Sequence, residues 1–287
     1  MMARLEETQV TVVGLGLMGG SLAGALRSKC KAVVGWARRA ETLGTALAME
    51  LIDRGTNDLA EGVRSADVVV LATPVRTIVD YLHQIGPLLS DGCLVMDLGS
   101  TKAQIVAAMA TLPDHVQPLG GHPMCGKEIS GIEAAEVDLY RGRSFILTPL
   151  PRTSEAALDL GKELARAVGA HPLLLDAERQ DCLVATLSHL PYLLACSLVG
   201  TADRLTSPDP AAWQIIDGGL RDTSRVAGSD VTMMLDILLT NREAVLESVA
   251  TCQAQLTELA RLREAADKEE LGSVLSLIRE KRKEMFP

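Results

Sequence analysis

An α/β domain followed by an all-helical domain is the fold this sequence predicts, on three observations. A β-branched run at residues 9–13 leads straight into Gly14-Leu15-Gly16-Leu17-Met18-Gly19 and then into helical spacing. Further apolar runs near residues 32–36, 66–72, 93–98, 144–148 and 171–175 alternate with helix-period segments. From Ala177 onward only the helical period remains. Alternating strands and helices point to a mostly parallel sheet. A glycine-rich turn joining the first strand to the first helix marks a Rossmann-type dinucleotide-binding domain. The division falls at residues 1–176 and 177–287.

In that first turn Gly14 makes the bend, Gly16 lets a pyrophosphate approach, and Gly19 lets helix pack on strand. The amides at Leu17 and Met18 open the helix and would hold the pyrophosphate. The bland alternative is a glycine turn that packs helix on strand without a ligand. The strand at 32–36 ends in Ala37-Arg38-Arg39, where an NAD site wants an acidic residue. Two guanidiniums suit a ribose 2′-phosphate, so NADP is favoured, with NAD the alternative if Arg38 and Arg39 are solvated surface residues.

A helix is expected near residues 41–51, then a loop rich in Asp, Asn and Gly at 53–58. The strand at 66–72 ends in Thr73-Pro74, placed to touch the nicotinamide half or to open the helix at 75–85. The strand at 93–98 leads into Gly99-Ser100-Thr101-Lys102. There Ser100 or Thr101 caps the helix at 102–110, or Ser100 meets substrate, and Lys102 reads as a solvated helix residue. Gly120-Gly121-His122-Pro123-Met124-Cys125-Gly126 reads as an ordered loop, which favours a functional His122 over a surface one. Cys125 reads as a packed loop residue.

The helical half should hold a long segment to about residue 205, a shorter one at 212–226, another at 231–262 and a last one at 268–283. Two polar clusters interrupt it. In Ser188-His189-Leu190-Pro191-Tyr192 the proline should kink the helix, and His189 and Tyr192 share a face. In Arg221-Asp222-Thr223-Ser224-Arg225 one arginine facing inward is a carboxylate receptor; the alternative is a salt-bridge patch at a helix end.

Composition narrows the function. The formal net charge of -9 argues against a non-specific nucleic-acid binder and leaves room for a local basic pocket taking a small molecule. No single apolar run approaches the ~18 residues of a membrane span, and residues 1–9 lack a signal peptide's apolar segment. Six scattered cysteines, with no metal-ligand spacing, read as free thiols in a reducing compartment. A cytoplasmic enzyme without a metal is the expectation. Helices this apolar usually bury a partner, so a homodimer through residues beyond 177 is expected.

Taken in order, these motifs resemble the prephenate/arogenate dehydrogenases of tyrosine biosynthesis, from Val10 to about Glu243. The chain looks closest to the NADP-linked arogenate type. The resemblance implies oxidative decarboxylation with hydride transfer to the cofactor. It implies that His122 takes the proton of the ring hydroxyl and that Ser100 hydrogen-bonds that hydroxyl and the histidine. It gives Arg225 a substrate carboxylate and puts His189 in the helical wall of the site. The chain departs from the family at Tyr192, often a histidine, and at Met234, often a tryptophan. With the sequence ending at Pro287, neither the mutase nor the regulatory domain of some relatives is expected. Two rivals remain. A β-hydroxyacid dehydrogenase would want a lysine base, yet no lysine lies between Lys162 and Lys268. A non-catalytic NADP-binding sensor would leave His122, His189 and Arg225 without a part.

Overall fold

The computed structural model describes residues 4–207 and 209–286; the first three residues of the charged N-terminal segment and Pro287 lie outside the described residues. Strands β1 (Gln9–Val13), β2 (Ala32–Trp36), β3 (Arg54–Thr56), β4 (Val68–Leu71), β5 (Leu94–Asp97), β6 (Gln117–Pro123), β7 (Ser144–Pro149) and β8 (His171–Leu174) form one sheet in the order β3-β2-β1-β4-β5-β6-β7-β8. All neighbours are parallel except β6 and β7. Helices α1 (Leu17–Leu26), α2 (Ala40–Ala48), α3 (Leu59–Arg64), α4 (Val75–Ile85), α5 (Ala103–Met109) and α6 (Glu155–Ala167) cover its two faces.

The continuous apolar strands follow from that double cover. In β4, Val68 and Val70 join the core under α1 and α6, while Val69 and Leu71 join the core under α4 and α5. Fully burying each such side chain contributes roughly 1.5–3 kcal/mol. At the first turn Gly14 has φ +102°, and a side chain there would meet the Ala72 carbonyl.

Several expectations change, among them the helix at 212–226, which is α-helical only over Gly218–Ser224. The loop at 53–58 contains the short edge strand β3 and leads to α3, which Asp58 caps through Ala60 N and Glu61 N at 2.9 and 3.2 Å. Three polar-rich residues give no apolar run to read. The stretch from Gly120 to Pro123 is strand, not loop, paired antiparallel with β7. Its Gly121 is needed because a Cβ would come 2.4 Å from the Asp97 carbonyl. The helix expected at 231–262 is two, α10 (Val231–Thr240) and α11 (Arg242–Glu264), joined at Asn241 with φ -120° and ψ 37°.

The remaining helices are α7 (Ala177–Val184), one stretch of π-helix at Ala185–His189, α8 (Leu190–Thr206), α9 (Gly218–Ser224) and α12 (Lys268–Met285). Pro191 has no N–H to donate back, and the wider π turn sits directly before it. Read end to end, Ala177–Thr206 is long and apolar enough to cross a membrane by length and composition, which separate apolar runs in the sequence did not reveal. The same run sends Gln180, Asp181 and His189 into buried positions.

Candidate active site

A cleft of about 590 Å³ opens between the carboxyl edge of the sheet and the helices. An open α/β sheet binds ligands at that edge. Gly16, Leu17, Met18, Thr73, Pro74, Ser100, His122, His189 and Tyr192 all line it. Gly14 and Gly19 form the turn beneath, where a Cβ on Gly19 would fall 1.9 Å from the Gly14 carbonyl.

The residues present fit a dinucleotide. The N-cap of α1 is Gly16, which offers no side chain to the first-turn amides, and the space where its Cβ would stand is empty. A buried hydroxyl, Thr73 Oγ1, has no partner among the described residues. Arg38 and Arg39 are exposed at the end of β2 and outside the cleft lining; Arg39 is the N-cap of α2 and makes no capping bond.

His122 stands on β6 opposite Ile146 and is 8% exposed. Burial, then the charges of Lys102 and His189, push its pKa down to about 3, so the ring is neutral. Its Nδ1 is buried without a partner among the described residues. Ser100, half-buried, lies just past β5.

Lys102 is not a solvated helix residue. It is fully buried and paired with the equally buried Asp97. Asp97 also accepts from Gly99 N at 2.7 Å and Gly121 N at 2.9 Å. One carboxylate thus ties the strand bearing His122 to the turn bearing Ser100. Burial pushes Asp97 up and Lys102 down, and their mutual attraction opposes both shifts. Nor do Ser100 or Thr101 cap α5. Its first amides, Lys102 N and Ala103 N, donate to the Asp181 carboxylate at 2.7 and 2.9 Å. The Thr101 hydroxyl instead meets that of Thr240 at 2.8 Å. Likewise Asp236 of α10 accepts from Arg76 N, in the first turn of α4, at 2.9 Å and pairs with the Arg76 guanidinium. Two helices whose N-termini face the cleft therefore take their caps from the helical half of the chain.

That half supplies the opposite wall. His189 is 1% exposed, and burial pushes its pKa down to about 4. Met234 and Tyr192 both line the cleft. Arg225 lies outside the lining, 64% exposed, and pairs with Glu128, which does line it. Arg221 is more exposed still and pairs with its neighbour Asp222 at 3.3 Å, the patch arrangement. Cys125 lines the cleft as a thiol that burial pushes up to about 11. A thiol so protonated is no nucleophile at neutral pH.

Sequence reasoning missed Asp97, Asp181, Asp236 and Asn241. Gly120 carried a trace of the buried lysine, since a Cβ there would stand 3.3 Å from Lys102 Cδ.

Residues 22–174 match the family model described as the nucleotide-binding domain of prephenate dehydrogenase, and residues 176–277 its dimerization domain. The chain is 32% identical over 274 residues to a prephenate dehydrogenase of Bacillus subtilis, covering 94% of this chain and 74% of that one. It superposes with a TM-score of 0.89, at 32% identity, on a prephenate dehydrogenase from Aquifex aeolicus in complex with hydroxyphenyl propionate and NAD+, covering 97% and 98% of the two chains. Against a Synechocystis arogenate dehydrogenase the TM-score is 0.84 at 29% identity, covering 96% and 99%.

Proposed function

The chain belongs to the prephenate dehydrogenase family, and from that premise we propose that it oxidatively decarboxylates a cyclohexadienyl acid, with arogenate favoured over prephenate and NADP over NAD. The observation that carries this reading is a buried, neutral His122 facing His189 and Tyr192 across a cleft that begins at the first glycine turn. We take residues 1–176 as the nucleotide-binding domain and 177–287 as the substrate and dimerisation domain of a cytoplasmic enzyme.

The substrate carries a hydroxyl and a hydrogen on one ring carbon and a carboxylate on the carbon opposite. The bound nicotinamide supplies the hydride acceptor. Ser100 orients the hydroxyl and His122 takes its proton, a contribution of about 10²–10⁴-fold. The electron pair of the ring carbon–carboxylate bond enters the ring as carbon dioxide leaves, and the ring becomes aromatic. A buried imidazolium is a strong acid, so His122 returns its proton to the phenolic oxygen, and none is consumed overall.

Arg225 exchanges Glu128 for a substrate carboxylate, with Arg221 the second guanidinium within a helical turn. Arogenate is favoured because its side chain bears an ammonium group, and Glu128, released when Arg225 turns to the substrate carboxylate, lines the cleft. The Gly14, Gly16 and Gly19 turn with the Leu17 and Met18 amides holds the pyrophosphate, Thr73 and Pro74 meet the nicotinamide half, and Arg38 and Arg39 take the 2′-phosphate.

Parallel assays of NADP and NAD reduction with arogenate, prephenate and a 3-hydroxy acid test the reading. Reduction with a cyclohexadienyl acid alone is expected. Turnover with the 3-hydroxy acid would move the chain to the β-hydroxyacid dehydrogenases, and cofactor binding without any turnover would make it a sensor. A clear NAD preference would reduce Arg38 and Arg39 to surface residues. The exposed Leu205, Trp213 and Ile215 support a homodimer; a monomer by light scattering would contradict it.

A further inference from the structure

Asn241 is a buried polar side chain behind the cleft to which the reaction above gives no part. It stands at the joint of α10 and α11 and is 6% exposed. Its Nδ2 donates to the Asp181 carbonyl oxygen at 2.8 Å and lies 3.3 Å from His189 Nδ1. A backbone carbonyl only accepts, so the amide atom facing it is the nitrogen and not the oxygen. That nitrogen has two hydrogens and no lone pair to offer. One hydrogen goes to Asp181, and the other points at His189 Nδ1, which must accept it. A neutral imidazole carries one proton; with Nδ1 accepting, that proton is on Nε2. His189 lines the cleft, and its Nε2 makes no hydrogen bond to any described residue.

We infer that Asn241 is a positioning residue that locks His189 as its Nε2–H tautomer, so that the helical wall presents a neutral hydrogen-bond donor to a carbonyl or carboxylate oxygen of the substrate. The two imidazoles of the cleft then hold opposite roles. His122 offers a lone pair to a hydroxyl, and His189 offers an N–H to an oxygen. Burial keeps His189 uncharged at neutral pH, so its positive charge opposes protonation of His122 only in acid. The lock also reaches the other wall. The same Asp181 that accepts from Asn241 through its carbonyl holds the start of α5 through its carboxylate, one residue beyond Thr101 and two beyond Ser100. His189 and Ser100 are thereby set by one residue.

The use made of the donor rests on the proposed function; the tautomer does not. The test is therefore read in two parts. Long-range 1H–15N correlation on the ligand-free, histidine-labelled protein, assigned with His189→Gln, reports which nitrogen carries the proton. The Nε2–H pattern is expected for His189, and an Nδ1–H pattern in the wild-type protein overturns the lock whether or not any variant folds. Asn241→Asp keeps the shape and reverses the polarity, since a carboxylate accepts from Nδ1–H. It should turn His189 to the neutral Nδ1–H form, whose Nε2 has no proton to donate, and raise KM for the cyclohexadienyl acid about tenfold to a hundredfold, with kcat little changed. A variant in which the tautomer turns and KM stays put removes the donor role. Absence of turnover with every cyclohexadienyl acid, beside the expected Nε2–H spectrum, would instead sink the proposed function and leave the lock standing.

Discussion

The two walls of the cleft are built differently. The sheet wall is closed and self-supporting: Asp97 and Lys102, both at zero exposure, fix the backbone around Ser100 and His122 through Gly99 N and Gly121 N. The helical wall is fixed at its base, where Asn241 holds His189 and where Asp181, Asp236 and Thr240 are tied to the sheet half. Its guanidiniums stand in solvent, Arg225 on Glu128 and Arg221 on Asp222. Under the proposed function the difference is a division of labour. There the group that handles the proton is held before substrate arrives, because its geometry and charge state set the barrier. Groups that receive carboxylates gain by staying mobile until the anion is present, since they work through charge over a longer reach.

The sharpest way to break that contrast is at its closed side. His122→Asn should lower kcat by about 10²–10⁴-fold with KM little changed, measured by steady-state kinetics. Near-normal turnover would take the proton from this wall. Lys102→Met strands the Asp97 carboxylate in a dry site. It should destabilise the protein by roughly 3–5 kcal/mol in urea unfolding, the cost of breaking a buried pair from one side. Adding Asp97→Asn, which removes the charge and keeps an oxygen for one of the two glycine amides, should restore part of that. If the single change is neutral, the sheet wall is not held by this pair.

The contrast also marks what the sequence could disclose. The first turn, the strand ends and the polar stretches around Ser100, His122 and His189 were legible because each is local: strand, glycine turn and helix follow one another within a few residues. Lys102 was not, because its burial depends on Asp97 five residues back across a turn and on a missing side chain at Gly120 on another strand. Asp181 reads as one more acid on a helix until its partners, at Lys102 and Ala103, are brought to it by the fold. Asn241 lay inside what reads as a single helix. An asparagine at a helix joint was the one local hint, and apolar spacing on both sides concealed it. Arg221 and Arg225 were visible as a pair, but spacing alone says nothing of which faces the cleft.

On the open side a smaller effect is expected. Arg225→Ala should raise KM for the substrate about tenfold to a hundredfold, the scale of a hydrogen bond to a charged group, with a modest change in kcat. Its exposure in the free protein keeps the effect below that of a buried pair. Unchanged affinity by titration would hand the role to Arg221. A loss in kcat as large as that of His122→Asn would erase the distinction between the walls.

The smallest effect is on the pH dependence, and it tests whether the closed wall is closed in solution. An ordinary imidazole, with pKa near 6.5, would lose about three quarters of its neutral form on going to pH 6. His122 is pushed to about 3, first by burial and then by Lys102, so between pH 8 and pH 6 kcat/KM should lose almost nothing through this group. The same shift has a sign for stability. Unfolding exposes His122 and His189 to water, where each takes up a proton below about pH 6.5 that the folded protein refuses. Stability should therefore fall as pH drops from about 6.5 towards 4, and the fall should be shallower in His122→Asn, which has one such ring fewer. Urea midpoints across that range give the slope. An acid limb of kcat/KM near 6.5, together with a flat stability profile, would mean that water reaches His122 in the free enzyme and that the sheet wall, like the helical one, is completed only when substrate binds.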